Sequence, residues 1–156
     1  MLSNNLFEPS LTKENYHEIK TYEISRLVYV AFFGGVIPMV VLGSKNAKWL
    51  QIDKKMIGLM IALGVVILFI KSIFVGLVNA HYVEYEARTI RWIYNIACLL
   101  LYFGYYFLMK AKFKQHIMTD GEVQPILKDA IIWGIVGILM EFALGMAGVK
   151  IVAYAL

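Results

Sequence analysis

Residues 130–149 read AIIWGIVGILMEFALGMAGV, a stretch in which Glu141 is the only charged residue. Its length matches the roughly 20 residues that an α-helix needs to cross the hydrocarbon core of a bilayer. Residues 27–43, 56–78 and 92–109 have the same character, and the second of these is interrupted only by Lys71. Backbone groups in lipid must be hydrogen-bonded within their own segment, so each stretch is predicted to be a membrane-spanning helix.

The composition agrees with a membrane protein. The chain of 156 residues is 60% apolar and only 17% charged, against about 25% charged in a typical soluble domain. We therefore predict an all-α polytopic fold in which residues 26–156 form four transmembrane helices, arranged as two hairpins within the lipid bilayer. Residues 1–25 form a separate tail, which could be an amphipathic helix in the membrane interface, an extension of the first span or a frayed end.

The distribution of basic residues predicts an orientation. Residues 44–55 and 110–129, which connect spans one to two and three to four, carry eight lysines, whereas the opposite side carries six Lys and Arg. This excess favours cytoplasmic Lys-rich loops and both termini outside. The net charge of +4 is interpreted as attraction to anionic headgroups, so no nucleic-acid contact is expected. A protein partner could also dock on the Lys-rich loops.

Glu141 is the most costly residue of the chain. A charged carboxylate near the bilayer centre costs at least about 2.5 kcal/mol, so it should be protonated, paired or in contact with water. Four glycines share its helix face at spacings of four and seven residues, and such small residues let another helix approach closely. The predicted helix-packing face consists of Gly134, Gly137, Gly145 and Gly148.

Lys71 is the predicted partner of Glu141. Spans two and four run in the same direction, and counting from Lys55 and Lys128 places the two charges at depths that differ by about 4–5 Å. Gly64 lies seven residues before Lys71 and gives its face a small residue, and Asn95 lies in the same half of the membrane. The alternative is that Lys71 extends to the nearer membrane surface.

The first span contains three helix-weakening residues, Gly34, Gly35 and Pro38. Proline removes a backbone hydrogen bond and adjacent glycines ease bending, so a kink is predicted here. The kink would be either a gating hinge or a bend that serves packing.

The sequence Phe33-Gly34-Gly35, followed by Lys45-Asn46-Ala47-Lys48-Trp49-Leu50, resembles a hairpin of small, uncharacterised bacterial multi-span membrane proteins. In that group a proline often follows the Gly-Gly directly, whereas here Pro38 comes three positions after Gly35. The resemblance covers residues 33–50 and implies a bacterial plasma-membrane protein, without implying a function.

No motif indicates catalysis. The three histidines are scattered, no Cys/His/carboxylate group has metal-ligand spacing, and no nucleotide-binding or nucleophile motif occurs. We therefore expect no metal, no cofactor and no enzymatic activity. The favoured hypothesis is a non-enzymatic assembly or partner-docking subunit that forms a homo-oligomer. Its role would be that of a pore, a toxin-immunity protein or a phage-defence component. The alternative is a proton- or ion-coupled channel or transporter that uses Glu141 with Lys71 as its counter-charge.

Overall fold

The computed structural model describes residues 20–84, 86–119 and 121–155. Two short strands and five helical segments are found in these ranges. In chain order they are β1 (Lys20–Tyr22), α1 (Ile24–Gly34), α2 (Val36–Trp49), α3 (Lys54–Asn79), α4 (Ala87–Met118), β2 (Glu122–Gln124) and α5 (Leu127–Ala155). The predicted all-α class is confirmed. The proposed tail helix falls mostly on residues 1–19, which lie outside the described ranges.

Three helices, α3, α4 and α5, are long and apolar enough to cross a membrane. Only 11% of the most apolar stretch of α3 and 6% of that of α5 is buried against the rest of the chain. Many of the remaining apolar side chains, such as Phe69, Ile70, Ile138 and Phe142, are exposed, which lipid tolerates and water does not. The prediction of a membrane-embedded protein is therefore supported by the fold.

The first predicted span is divided at Gly35. The helix α1 opens with a tight 3-10 turn and closes with a wider π-turn at residues 30–34. Gly35 then has φ 86° and ψ −166°, a conformation that is essentially restricted to glycine. A new helix, α2, starts at the next residue.

The helices α1 and α2 form a hairpin that turns back at Gly35. The backbone N–H of Tyr22, just before α1, donates to Oδ1 of Asn46 near the end of α2 at 2.8 Å. A single helix would separate these residues by about 36 Å, at 1.5 Å per residue. Among the described residues, three helices have the length and composition to cross a membrane, whereas four were expected. The difference arises because the first apolar stretch forms the two shorter helices of this hairpin.

The helix α2 occupies the centre of the molecule. Nine of its residues are buried, namely Val36, Ile37, Pro38, Met39, Leu42, Gly43, Ser44, Asn46 and Ala47. Pro38 is the third residue of α2 and therefore lies in the first turn, where its missing N–H would have no partner in the helix anyway. The predicted kink in a continuous span is thus replaced by a break at Gly35, and Pro38 belongs to the start of the new helix.

The strands β1 and β2 pair in parallel, with Thr21 opposite Val123. This pairing holds the start of the hairpin beside the connection from α4 to α5. Both ends of the hairpin therefore lie at the end of the molecule that carries the Lys-rich connections. The tip at Gly35 lies near the middle of α5.

Candidate functional site

The two intramembrane charges meet between α3 and α5. Nζ of Lys71 lies 2.5 Å from Oε2 of Glu141, and the side chains are 28% and 13% exposed, respectively. The predicted pairing of these residues is thus present, in preference to an isolated Lys71 that extends to the surface. A paired and largely buried carboxylate of this kind is far less costly in lipid than an isolated one.

Tyr94 of α4 completes the site. Its hydroxyl donates a short hydrogen bond to Oε1 of Glu141, and Nζ of Lys71 lies 3.7 Å from the centre of its ring. The same hydroxyl accepts the backbone N–H of Val36 at 3.1 Å. Both carboxylate oxygens of Glu141 are therefore engaged, one by a cation and one by a phenol.

The tyrosine also serves as the cap of α2. No side chain of Gly35 or its neighbours caps this helix, and the first free N–H is instead satisfied by Tyr94. The positive end of the α2 dipole therefore points toward the Tyr94–Glu141 hydrogen bond. Half-helices that end at the middle of a membrane with their N-terminus near a charged group recur in transporters.

Gly35 is required where the hairpin tip touches Glu141. A Cβ atom built at this residue would lie 2.6 Å from Oε1 of Glu141 and 3.3 Å from the Tyr94 hydroxyl. Real Cβ atoms do not approach other atoms so closely, so the contact between the tip and the carboxylate depends on glycine. Gly34 lies just before it and would place a Cβ 3.2 Å from Pro38.

The four glycines of α5 have different surroundings. Gly148 lies against the backbone of Ser72 on α3, so even a methyl group would collide there. Gly137 contacts the hairpin, since its Cβ would lie 2.7 Å from Cδ of Pro38. Gly145 has only Val75 at 4.0 Å, and Gly134 has nothing within 4 Å. The predicted packing face is therefore used at two of its four positions.

Two other predicted site residues lie elsewhere. Gly64 packs against Val40 of α2 instead of α5, so it holds α3 to the hairpin. Asn95 is half-buried and makes no hydrogen bond with the described members of the Lys71–Glu141 pair. Its neighbour Tyr94 takes the position that we expected for Asn95.

Tyr94 was missed by the sequence analysis, although a depth comparison could have found it. It lies seven residues after the start of α4 at Ala87, and Lys71 lies eight residues before the end of α3 at Asn79. Because the two helices are antiparallel, these counts place both residues at about the same depth. A tyrosine at that depth needs a partner for its hydroxyl.

A groove leads from one end of the molecule to the ion pair. One cavity of about 480 Å³ lies between α3 and α4 and is lined in part by Lys71, Asn79, His81, Arg91 and Tyr94. A second cavity of about 620 Å³ lies between α3 and α5 and includes Glu141. Lys71, Val75, Asn79 and Arg91 line both cavities, so the two are adjacent, and we call them together the α3 groove.

A second polar cluster fastens the open end of the hairpin. Lys45 Nζ lies 2.7 Å from Asp129 Oδ2 and 2.8 Å from the Tyr22 hydroxyl, which also donates to Asp129. Burial and the hydrogen bond to Asp129 raise the pKa of Tyr22, so the phenol stays a neutral donor. Asn46 adds three hydrogen bonds to buried groups of Thr21 and Tyr22. These contacts join β1 to α2 and α5.

Within residues 20–84, 86–119 and 121–155, no group of three or more His, Cys, Asp or Glu side chains could hold a metal ion. Comparisons with protein-family models, with curated proteins and with solved structures give no match. The resemblance of residues 33–50 to bacterial membrane proteins stays a prediction, and the function has to be argued from the chain's own geometry.

Proposed function

We propose that the chain is an ion-coupled membrane channel or transporter in which the Lys71–Glu141–Tyr94 site controls passage. The observation that carries this proposal is a charged pair with direct access to a groove on one side and direct contact with a helix-breaking hairpin tip on the other. Irregular backbone occurs at membrane depth where it is covered by protein or lines a cavity. A break of this kind beside an intramembrane carboxylate is typical of ion pathways.

The proposed topology has three crossing helices and one re-entrant hairpin, in place of four crossings. In this topology α3, α4 and α5 cross, and α1 and α2 enter from the Lys-rich face and return to it. The hydrogen bonds between Tyr22 and Asn46 support this arrangement, since they hold both ends of the hairpin together.

The topology changes the balance of basic residues and supports a cytoplasmic Lys-rich face. Lys20 and Arg26 join that face because β1 pairs with β2. Among the described residues it then carries ten Lys and Arg, against three on the opposite face (Arg88, Arg91 and Lys150). By the positive-inside rule, the loop between α3 and α4 and the end of α5 face outward, and the chain at Lys20 faces the cytoplasm. This replaces the expectation that the chain begins outside, and the plasma membrane is the proposed location.

In this topology the outer cavity of the α3 groove lies on the outer side of the site. The α3 groove opens near His81 and Arg91, whereas the Gly35 tip covers Glu141 from the opposite direction. Breaking the Lys71–Glu141 pair would release the carboxylate from its cation, and withdrawal of the tip would expose it toward the cytoplasm. The hairpin is thus the proposed barrier, and no enzymatic step is part of this function.

A second candidate function is assembly into a homo-oligomer or docking of a membrane partner, as a pore subunit, an immunity protein or a phage-defence component. It is favoured by a groove of about 450 Å³ between α1 and α5, lined in part by Tyr29, Phe33, Ile131 and Gly134. Gly134 has nothing within 4 Å and could accept a helix from another chain.

Ion flux into liposomes tests the proposal. The purified chain is reconstituted, and influx of protons, potassium or chloride is followed with ion-sensitive dyes. We expect flux with the natural chain, and a loss of at least about tenfold for Glu141→Gln and Lys71→Gln because the charged pair is removed in each. Lys150→Gln, an exposed change on the same helix α5, is the matched control and should conduct normally.

Flux and native mass in detergent, measured together on Glu141→Gln, separate the two candidates. Under the transport proposal, Glu141→Gln keeps the natural mass and loses flux. If Glu141 is only structural, the amide still forms hydrogen bonds, and both assembly and function survive the change. An absence of flux for every ion with the folded natural chain would contradict the transport proposal.

A further inference from the structure

The lining of the α3 groove carries more positive than negative charge. Lys71 and Arg91 line both of its cavities, His81 lines the outer one, and Glu141 is the only carboxylate among the residues that line either. Since Glu141 is neutralised by Lys71, Arg91 contributes an excess positive charge. A low-dielectric cleft with one sign of charge concentrates ions of the opposite sign.

Arg91 has no carboxylate partner within the described part of the chain. Its side chain is exposed at the entrance of the groove, on the first turns of α4. Glu84 and Glu86 are the nearest acidic residues along the chain. They line a neighbouring cavity that shares Val78 and His81 with the outer cavity, but neither forms an ion pair with Arg91. A guanidinium presents several N–H donors in one plane and binds carboxylates and phosphates with two parallel hydrogen bonds.

The volume of the groove suits a small hydrated ligand. The outer cavity alone has about 480 Å³, and a single water takes about 30 Å³ in the liquid. The outer cavity therefore has room for a phosphate or a carboxylate with part of its water shell. The amide of Asn79 lines both cavities and adds a neutral donor.

We propose that the α3 groove is a binding site for a small oxyanion, a phosphate or carboxylate group, held by Arg91 at the entrance with the amide of Asn79 as a further donor. Binding of the anion does not depend on the proposed function. Only its passage across the membrane rests on that function. The same chemistry could be presented by a soluble anion or by the phosphate of a lipid headgroup, because the groove opens at the membrane surface.

Binding is measured on the full chain in detergent free of phospholipid. Inorganic phosphate and acetate are titrated at constant ionic strength, and the thermal unfolding midpoint and tryptophan fluorescence are recorded. Trp92 is exposed directly beside Arg91 and reports on the entrance. We expect saturable stabilisation by at least one of the two anions, which sodium added with an inert anion does not produce.

Three variants locate the site. Arg91→Gln should weaken binding by at least about tenfold, the usual cost of losing a charge-assisted hydrogen bond. Arg91→Lys should bind with an intermediate affinity because the charge is kept and the paired donors are lost. Arg88→Gln is the matched control: it lies one turn earlier on α4, is exposed and lines neither cavity, so binding should be unchanged.

A lipid arm identifies the source of the anion. Phosphatidylglycerol is added to the micelles in place of the soluble anions. If only the lipid stabilises the natural chain and Arg91→Gln abolishes the effect, the site holds a headgroup. If stabilisation is equal in all variants, or if no anion or lipid stabilises the chain, the proposed site is wrong.

The flux assay distinguishes this inference from the proposed function. Flux of protons or potassium without Arg91-dependent anion binding would leave the transport proposal standing and refute the anion site. Arg91-dependent anion binding without any flux would support the site and contradict transport. Anion flux that falls with Arg91→Gln and not with Arg88→Gln would support both.

Discussion

The contact of the Gly35 tip with Glu141 predicts that Gly35→Ala is strongly destabilising. Gly35 has φ 86° and ψ −166°, and a residue with a side chain held in such a conformation costs about 1–3 kcal/mol. The new methyl group would also lie 2.6 Å from Oε1 of Glu141. The carboxylate must then move away, which breaks its hydrogen bond with Tyr94.

The size of the effect follows from these two costs. A hydrogen bond to a charged group contributes about 1.5–3 kcal/mol. Alanine restricts the unfolded chain more than glycine does, which offsets about 0.4–1 kcal/mol. We therefore expect a loss of about 2–5 kcal/mol in the free energy of unfolding. The loss of stability should be accompanied by a rise in ion flux, because the displaced tip no longer closes the pathway at Glu141.

The assay is reversible unfolding of the purified chain in mixed micelles, with Gly134→Ala as the matched control. Gly134 lies in a helix and has nothing within 4 Å, so alanine there should be neutral or stabilising by up to about 1 kcal/mol. A difference of about 0.5 kcal/mol is typical of surface changes. If the free energies of unfolding of Gly35→Ala and Gly134→Ala differ by no more than this, Gly35 does not pack against the carboxylate.

A second background separates the collision from the backbone strain. In Glu141→Ala the carboxylate is absent, so Gly35→Ala should keep only the backbone part of its cost. The cost in the natural chain should exceed this by about 1.5–3 kcal/mol, the contribution of the charged hydrogen bond. Equal costs in both backgrounds would contradict contact between the tip and Glu141.

Two further predictions concern the hairpin as a whole. Asn46→Ala should lower the free energy of unfolding by about 2–4 kcal/mol in the same assay, because it leaves buried groups of Thr21 and Tyr22 without partners. Lys48→Ala, exposed on the same helix, should change it little, and a small loss for Asn46→Ala would refute the clamp. For topology, cysteines placed singly at Lys20 and Gln51 should react with an impermeant thiol reagent from the same face of sealed vesicles, and one at His81 from the other. The natural Cys98 is fully buried and should not react. Labelling of Lys20 together with His81 would support four crossings instead of the re-entrant hairpin.

The ion pair shows how far helix geometry alone could go. The rise of a helix is fixed, so counting residues from the membrane ends placed Lys71 and Glu141 within reach of each other. The same count did not decide between Tyr94 and Asn95, because neighbouring residues at one depth point in different directions. Rotation of α4 about its axis is set by packing, in part through the ring of Tyr105 against Gly43 and its hydroxyl against Ser44.

The glycines of α5 show the limit of pattern reasoning. Their spacing correctly places them on one face with Glu141, but spacing does not say which neighbour covers each position. Gly148 meets α3, Gly137 meets the hairpin, and Gly134 meets no described atom within 4 Å. Gly134 is uncovered because it borders the open cavity between α1 and α5.

The sequence by itself determined that this chain is helical and built for a membrane, because long apolar runs leave the backbone no partner except its own helix. Only the tertiary structure decided that the first run is a hairpin. An apolar stretch with Gly34, Gly35 and Pro38 can form either a kinked crossing or a hairpin, since both keep its backbone hydrogen-bonded within helices. Contacts between residues far apart in the sequence select the hairpin. Asn46 accepts a hydrogen bond from Tyr22 at the open end, and Glu141 lies so close to the tip that only glycine fits there.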